Sequence, residues 1–160
     1  CTSFQLRIAG MAQLDDDVGL VMQKLKDMGV DDNTIVVFTT DNGTEVFTWP
    51  DGGQTPFAQS KGTVLEGGFR VPCIIRWPGH VPADTVQNGI FSGLDWLPTF
   101  VAAAGNPNIT DELLKGKEIG GRTYKNHLDG YNQLAAITGK GRPCGTRSST
   151  LVKARSARCG

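Results

Sequence analysis

The sequence predicts an α/β fold, with helices packed on a central, mostly parallel or mixed sheet. Three observations carry this. Ile35-Val36-Val37-Phe38 and Cys73-Ile74-Ile75-Arg76-Trp77 are short, nearly continuous apolar runs bounded by turn residues. That pattern fits strands buried on both faces rather than strands alternating between core and water. Ahead of them, Met11, Leu14, Val18, Val21 or Met22, Leu25 and Met28 recur at three- and four-residue steps, which draws one apolar stripe along a helix. Behind them, Leu94, Leu97, Val101 and Ala104 repeat that spacing.

Each element has its own local signals. Residues 1–10, CTSFQLRIAG, carry little periodicity and are set apart as an atypical leader, with the helix expected from Met11. Asp15, Asp16 and Asp17 would fall in its early turns and Lys24 and Lys26 in its late ones, matching the helix dipole, and Gly29 is the expected stop. Three consecutive aspartates point around a helix, so they read as a solvated face rather than a metal cluster. Asp31-Asp32-Asn33 makes the turn into the first strand.

Beyond that strand stands Thr39-Thr40-Asp41-Asn42-Gly43. Open α/β sheets bind ligands just past the carboxyl ends of their strands. Asp41 and Asn42 offer two hard oxygen donors there, of the kind calcium or magnesium takes, although Asp-Asn-Gly is also an ordinary turn tripeptide. A loop follows, in which Trp49 and Phe57 either face an aryl or sugar group or anchor the loop itself. In Lys61-Gly62-Thr63-Val64-Leu65-Glu66-Gly67-Gly68-Phe69-Arg70-Val71-Pro72, the glycines allow backbone to approach a ligand closely. Lys61 presents a compact cation among them. Cys73 opens the second strand and reads as a buried thiol.

After the turn Trp77-Pro78-Gly79-His80, His80 is expected at an exposed edge without an identifiable catalytic partner. The helix over residues 94–104 is capped by Ser92 or Asp95, accommodates Pro98 in an early turn and stops at Gly105, with Pro107 just past it. Its role reads as structural. His127 and Asp129, two residues apart on an extended segment, share a face as any such pair does, and catalysis is not assigned to them. Leu134 to Gly139 reads as a short helix.

Composition narrows the function classes. The 160 residues are 39% hydrophobic and 20% charged, ordinary for a globular domain, and contain no apolar run long enough to cross a membrane. No charged-apolar-small signal peptide opens the sequence. Net charge is zero, but all sixteen acidic residues precede position 140, leaving residues 1–139 at −6 and the segment from Lys140 onward at +6. An acidic body argues against nucleic acid as its partner, since phosphate recognition needs clustered Lys and Arg. Residues 140–160 have no acidic residue and a strong Arg, Ser and Gly bias; they are expected to be a disordered basic tail. The cysteines, Cys1, Cys73, Cys144 and Cys159, have no CxxC spacing and no zinc-like pairing with His80 or His127.

Taken together, the strand, Asp41-Asn42-Gly43, the Lys61–Pro72 segment and the second strand resemble the sulfatase family of the alkaline-phosphatase superfamily, arylsulfatase type. The likeness covers residues 11–139 as the later part of a catalytic domain, so the sheet encoded here is expected to be incomplete. It implies hydrolysis of a sulfate ester assisted by a divalent cation, calcium or else magnesium. Asp41 and Asn42 match the family's metal-ligating Asp-Asn pair, and Lys61 matches its sulfate-binding lysine. The family's nucleophile is a formylglycine made from the first residue of a C/S-x-P-S-R motif. Cys1-Thr2-Ser3-Phe4-Gln5 lacks the proline, serine and arginine of that motif, so no catalytic nucleophile is assigned in these residues and the chain alone is expected to be inactive. Two alternatives remain at this point: a phosphate or phosphonate ester hydrolase of the same superfamily, and a truncated chain that only binds a partner. The particular sulfate ester, the cellular location and the oligomeric state are not legible.

Overall fold

The computed structural model describes residues 3–46, 53 and 55–141. The expectations placed on Cys1, Trp49, Cys144, Cys159 and the tail from residue 142 lie outside the described residues. The chain divides into two compact units, Cys1–Gly79 and His80–Gly160.

The first unit opens with helix α1, Ser3–Asp27, which starts ahead of the expected Met11. The apolar spacing begins near Met11, but helical hydrogen bonding needs no apolar residue to extend upstream of it. Asp15, Asp16 and Asp17 therefore lie in mid-helix, and the first turn holds no acidic residue, whereas Lys24 and Lys26 do sit in the last turn. The expected stop is observed. Gly29 adopts φ +66°, its N–H donates to the Lys26 carbonyl at 2.9 Å, and the Val30 N–H donates to the Leu25 carbonyl at 3.1 Å, the paired bonds of a Schellman motif. Val18, Met22 and Leu25 are half-buried, while Met11, Leu14, Val21 and Met28 of the same stripe are exposed.

A one-turn helix at Asp31–Asn33 leads into β1, Val36–Thr39. Helix α2, Glu66–Phe69, precedes β2, Cys73–Arg76. The two strands pair antiparallel, with Val36 opposite Arg76 and Thr39 opposite Cys73. This differs from the mostly parallel or mixed pairing expected, and no parallel pair occurs among the described residues. A parallel return needs a crossover of a dozen residues or more, usually a helix, and the described connection contains only the four-residue α2. The Arg76 guanidinium donates to the Asp31 carbonyl at 2.9 Å and lies 3.4 Å from its carboxylate, tying the sheet to the turn that follows α1.

Nor is this sheet buried on both faces. β1 is half-buried over Val36–Phe38, and Ile74 of β2 is 64% exposed. Cys73, expected as a buried thiol, is exposed, because the strand it opens lies at the rim of a two-stranded ladder; partial desolvation still raises its pKa above the ordinary thiol value.

The second unit has a small, well-formed core. A one-turn helix at Gly93–Asp95 runs into α3, Trp96–Ala103, followed by α4, Ile109–Lys115. Strands β3, Lys117–Ile119, and β4, Arg122–Tyr124, form an antiparallel hairpin, and α5 spans Leu134–Ile137. Ala102, Ile109, Leu113, Ala136 and Ile137 are its buried apolar residues. Both expected caps act together: Ser92 Oγ accepts from the Leu94 N–H, and the Asp95 carboxylate accepts from the Ser92 N–H at 2.9 Å, a reciprocal capping box.

Candidate active site

The site candidates lie in the first unit, on two loops that the backbone fastens together. The Gly43 N–H donates to the Gly68 carbonyl at 3.0 Å, the Lys61 N–H donates to the Thr44 carbonyl at 2.8 Å, and the Gly67 N–H donates to the Ala58 carbonyl at 2.8 Å. The first two bonds hold the turn carrying Asp41 and Asn42 against the segment carrying Lys61, and the third closes that segment on itself. Thr39 Oγ1 adds a bond to the Pro72 carbonyl at 2.9 Å, fixing the carboxyl end of β1 to the residue that enters β2.

Glycine makes this contact sterically feasible. A Cβ on Gly43 would lie 1.8 Å from the Gly67 carbonyl oxygen, one on Gly67 1.9 Å from the Gln59 oxygen, and one on Gly68 2.3 Å from the Thr63 oxygen. Each is a backbone atom that cannot swing aside. Gly67 and Gly68 are buried. The close approach expected of these glycines thus exists, but what approaches them is the chain's own backbone. Gly62 differs: it takes φ +89° with open space where a Cβ would stand, so it serves the turn after Lys61.

The candidate side chains are more open to solvent than these glycines. Asp41 is exposed, and Asn42 and Lys61 are half-buried. Lys61 Nζ lies 3.9 Å from Glu45 Oε2, with side chains 42% and 43% exposed. Beside them, Arg70 pairs with Glu66 at 3.0 Å and its guanidinium stacks over the Phe57 ring, 4.3 Å from the centroid. Phe57 therefore has an anchoring partner, the second of the two roles considered for it. Glu45 and the glycine interlock were not singled out from sequence; the Asp-Asn-Gly-Thr-Glu run offered only the local charge pattern.

Asp41 and Asn42 fit a divalent cation in the kind of donor they supply, since calcium and magnesium take oxygen ligands. They do not fit it in number. Calcium takes about six to eight oxygens, and among the described residues no group of three or more His, Cys, Asp or Glu could hold a metal ion. The remaining candidates belong to the second unit. His127 Nδ1 sits 3.2 Å from Asp129 Oδ1 with both side chains more than two-thirds exposed, a solvated pair in the second unit. His80 is exposed, as expected. No helix among the described residues is long and apolar enough to cross a membrane.

The second unit holds a buried polar node that the sequence offered only as a helix cap. Asp95 and Thr99 are fully buried and Gln133 is 1% exposed. The Asp95 carboxylate accepts from the Tyr131 N–H at 2.8 Å and from the Gln133 side-chain amide at 3.3 Å, besides Ser92. Thr99 Oγ1 accepts from the Gln133 N–H at 2.9 Å. Gly130 completes the seam, since a Cβ there would meet the Leu94 carbonyl oxygen at 1.9 Å. This node is a structural joint between α3 and the segment before α5.

Comparison with known proteins finds relatives of this chain. The Sulfatase family model matches residues 3–106. The chain is 39% identical over 109 residues to human N-acetylgalactosamine-6-sulfatase, covering 67% of this chain and 21% of that protein. It is 42% identical over 103 residues to human arylsulfatase A, covering 62% and 20% respectively. Among solved structures it superposes on the PsFucS1 sulfatase from Pseudoalteromonas sp. with a TM-score of 0.67 at 34% identity, over 84% of this chain and 25% of that one. The chain thus spans about a fifth of the curated relatives it matches.

Proposed function

This chain belongs to the sulfatase family, and from that premise we propose that it forms the cation- and sulfate-facing part of a sulfuric ester hydrolase. One observation carries the reading: the backbone interlock that fastens the Asp41-Asn42 turn to the Lys61 segment. Preorganised charge is worth most when its carriers cannot relax away from the reacting group, and two rungs between the loops, with a third closing the Lys61 segment on itself, are a means of that kind.

In this reading Asp41 and Asn42 would hold the cation, calcium or else magnesium, Asp41 contributing a charged oxygen and Asn42 a neutral one. A cation bound there supplies a Lewis acid for the ester's sulfate oxygens. Lys61 binds the sulfate group through a fixed ammonium and offsets charge on the transferring group. The other cation ligands and the formylglycine nucleophile belong to sequence not present among these 160 residues, which contain no C/S-x-P-S-R motif. The exposed Ile74 supports a further part of the proposal, that β1 and β2 extend into a larger sheet, mostly parallel or mixed, in the whole domain.

The test is a calcium titration of the 160-residue chain by calorimetry, beside an aryl-sulfate and aryl-phosphate turnover assay. We expect weak binding, with Kd on the order of 10⁻³ M as in sites short of ligands, lost in Asp41→Ala, and no turnover of either ester. Calcium binding that survives both Asp41→Ala and Asn42→Ala would remove the ligand assignment. Metal-dependent turnover of aryl sulfate abolished by Asp41→Ala would contradict the inactivity of the chain alone, and preference for the phosphate ester would contradict the substrate class.

A further inference from the structure

The backbone rung between Lys61 and Thr44 has a consequence for the residue after Thr44. With the Lys61 N–H fixed 2.8 Å from the Thr44 carbonyl, Glu45 comes to lie directly beside Lys61 across the two loops, and its carboxylate stands 3.9 Å from the Lys61 ammonium. The separation exceeds hydrogen-bond distance, and both side chains are more than two-fifths exposed. A pair of this kind is loose and readily screened. It can hold an ammonium near one position without preventing its exchange to another anion.

We propose that Glu45 is a positioning residue for Lys61: its carboxylate is the resident counter-ion of the ammonium, and an incoming sulfate group displaces it. The proposal rests on Lys61 being the sulfate-binding cation. Two effects of opposite sign follow from the geometry. The carboxylate keeps the flexible lysine stem aimed along the loop pair while the site is empty. It also repels a second anion arriving at the same ammonium, so it sets a threshold that a poorly placed anion crosses less readily than a well-placed sulfate group. Of the other charged groups described on these loops, Glu66 is engaged by Arg70 at 3.0 Å, Arg70 in turn covers Phe57, and Asp41 is the proposed cation ligand.

The experiment is a titration of inorganic sulfate into the 160-residue chain, followed by NMR at the Lys61 side-chain and Thr44 amide resonances, at constant ionic strength. Wild type, Glu45→Gln, Glu45→Asp and Lys61→Gln are compared, with unchanged amide dispersion as the criterion that each variant is folded. We expect Glu45→Gln to tighten sulfate binding about three- to tenfold, Glu45→Asp to restore most of the wild-type value, and Lys61→Gln to abolish the response. A merely structural carboxylate would weaken binding on removal, so the sign of the change separates the roles. Unchanged or weaker binding in folded Glu45→Gln, with Lys61→Gln still abolishing it, overturns the counter-ion role and leaves the lysine assignment standing. A sulfate response that persists in Lys61→Gln overturns the lysine assignment, and the counter-ion role falls with it.

Discussion

The two units hold their key residues in place by opposite means. In the second, side chains do it: Asp95, Thr99 and Gln133 are buried together and satisfy one another and the backbone amides of Ser92, Tyr131 and Gln133. In the first, backbone does it, through the rungs from Gly43 and Lys61 between the loops and from Gly67 within the second loop, while the side chains of Asp41, Glu45 and Lys61 stay open to solvent or half so. A buried carboxylate that accepts several N–H bonds is a joint, since its lone pairs are used up by the protein. An exposed carboxylate and a half-buried carboxamide and ammonium on a backbone-fastened loop pair keep surface open to a ligand. The contrast separates a structural polar cluster from a candidate functional one.

The largest test of that contrast lies in the second unit. Asp95→Ala strands half-buried donors at Ser92 and Tyr131 and a buried one at Gln133, and an unsatisfied buried group costs ~1–3 kcal/mol. We expect a loss of about 4 kcal/mol in urea unfolding and faster amide exchange at Tyr131, with no effect on calcium or sulfate binding if the second unit remains folded. Asp95→Asn should lose about half as much. Next comes Gly67→Ala, which sets a methyl against the Gln59 and Ala58 carbonyls and should cost about 3 kcal/mol, at the upper end of overpacking effects. Here stability and ligand binding should fall together, because the same rungs serve both. Thr99→Val removes the acceptor of the Gln133 N–H and the long bond, 3.5 Å, that Thr99 Oγ1 donates to the Tyr131 carbonyl, and should cost about 1.5 kcal/mol.

How far each means of support could be read from sequence follows from its range. The caps at Ser92 and Asp95, the stops at Gly29 and Gly105, and the Asp-Asn-Gly turn after a buried-looking strand are local, and each was legible from residues a few positions apart. Helix α4 and the β3–β4 hairpin were not anticipated. The hairpin's two-residue loop, Gly120-Gly121 with φ +58° and +78°, does carry the glycine pair that primed hairpin turns favour. Its strands, Lys-Glu-Ile and Arg-Thr-Tyr, lack the apolar alternation that would have marked them. The antiparallel return of β2, the contact of Gly43 with Gly67, and the hydrogen bond of Gln133 to Asp95 at a separation of 38 residues depend on tertiary geometry that no local pattern encodes. Sequence could propose Asp41, Asn42 and Lys61 as candidates, but not that the chain's own backbone fills the space around the glycines between them.

The smallest expected effect sharpens the comparison at the surface of the second unit. Glu112 pairs with Lys117 and accepts from Asn106 at 2.8 Å, and the Lys117 hydrogen bond, followed by that from Asn106, holds its pKa below the ordinary 4.5. A lowered carboxylate pKa contributes stability that is intact above its unfolded value and lost as pH falls through the folded one. Lys117→Met should therefore narrow the difference in stability between neutral pH and pH values below 4.5, measured by thermal unfolding across that range. No such dependence is expected of Gly67→Ala.

The central proposal is that the interlocked loops present Asp41, Asn42 and Lys61 as a ligand-binding unit. Its most direct test is a backbone and side-chain NMR map of the chain titrated with calcium and then sulfate. The prediction is that shifts concentrate at Asp41, Asn42 and Lys61 and at the Gly43, Thr44, Gly67 and Gly68 amides that join them, and that Gly67→Ala disperses or removes them. Shifts that bypass these residues, or that persist unchanged in Gly67→Ala, would contradict it.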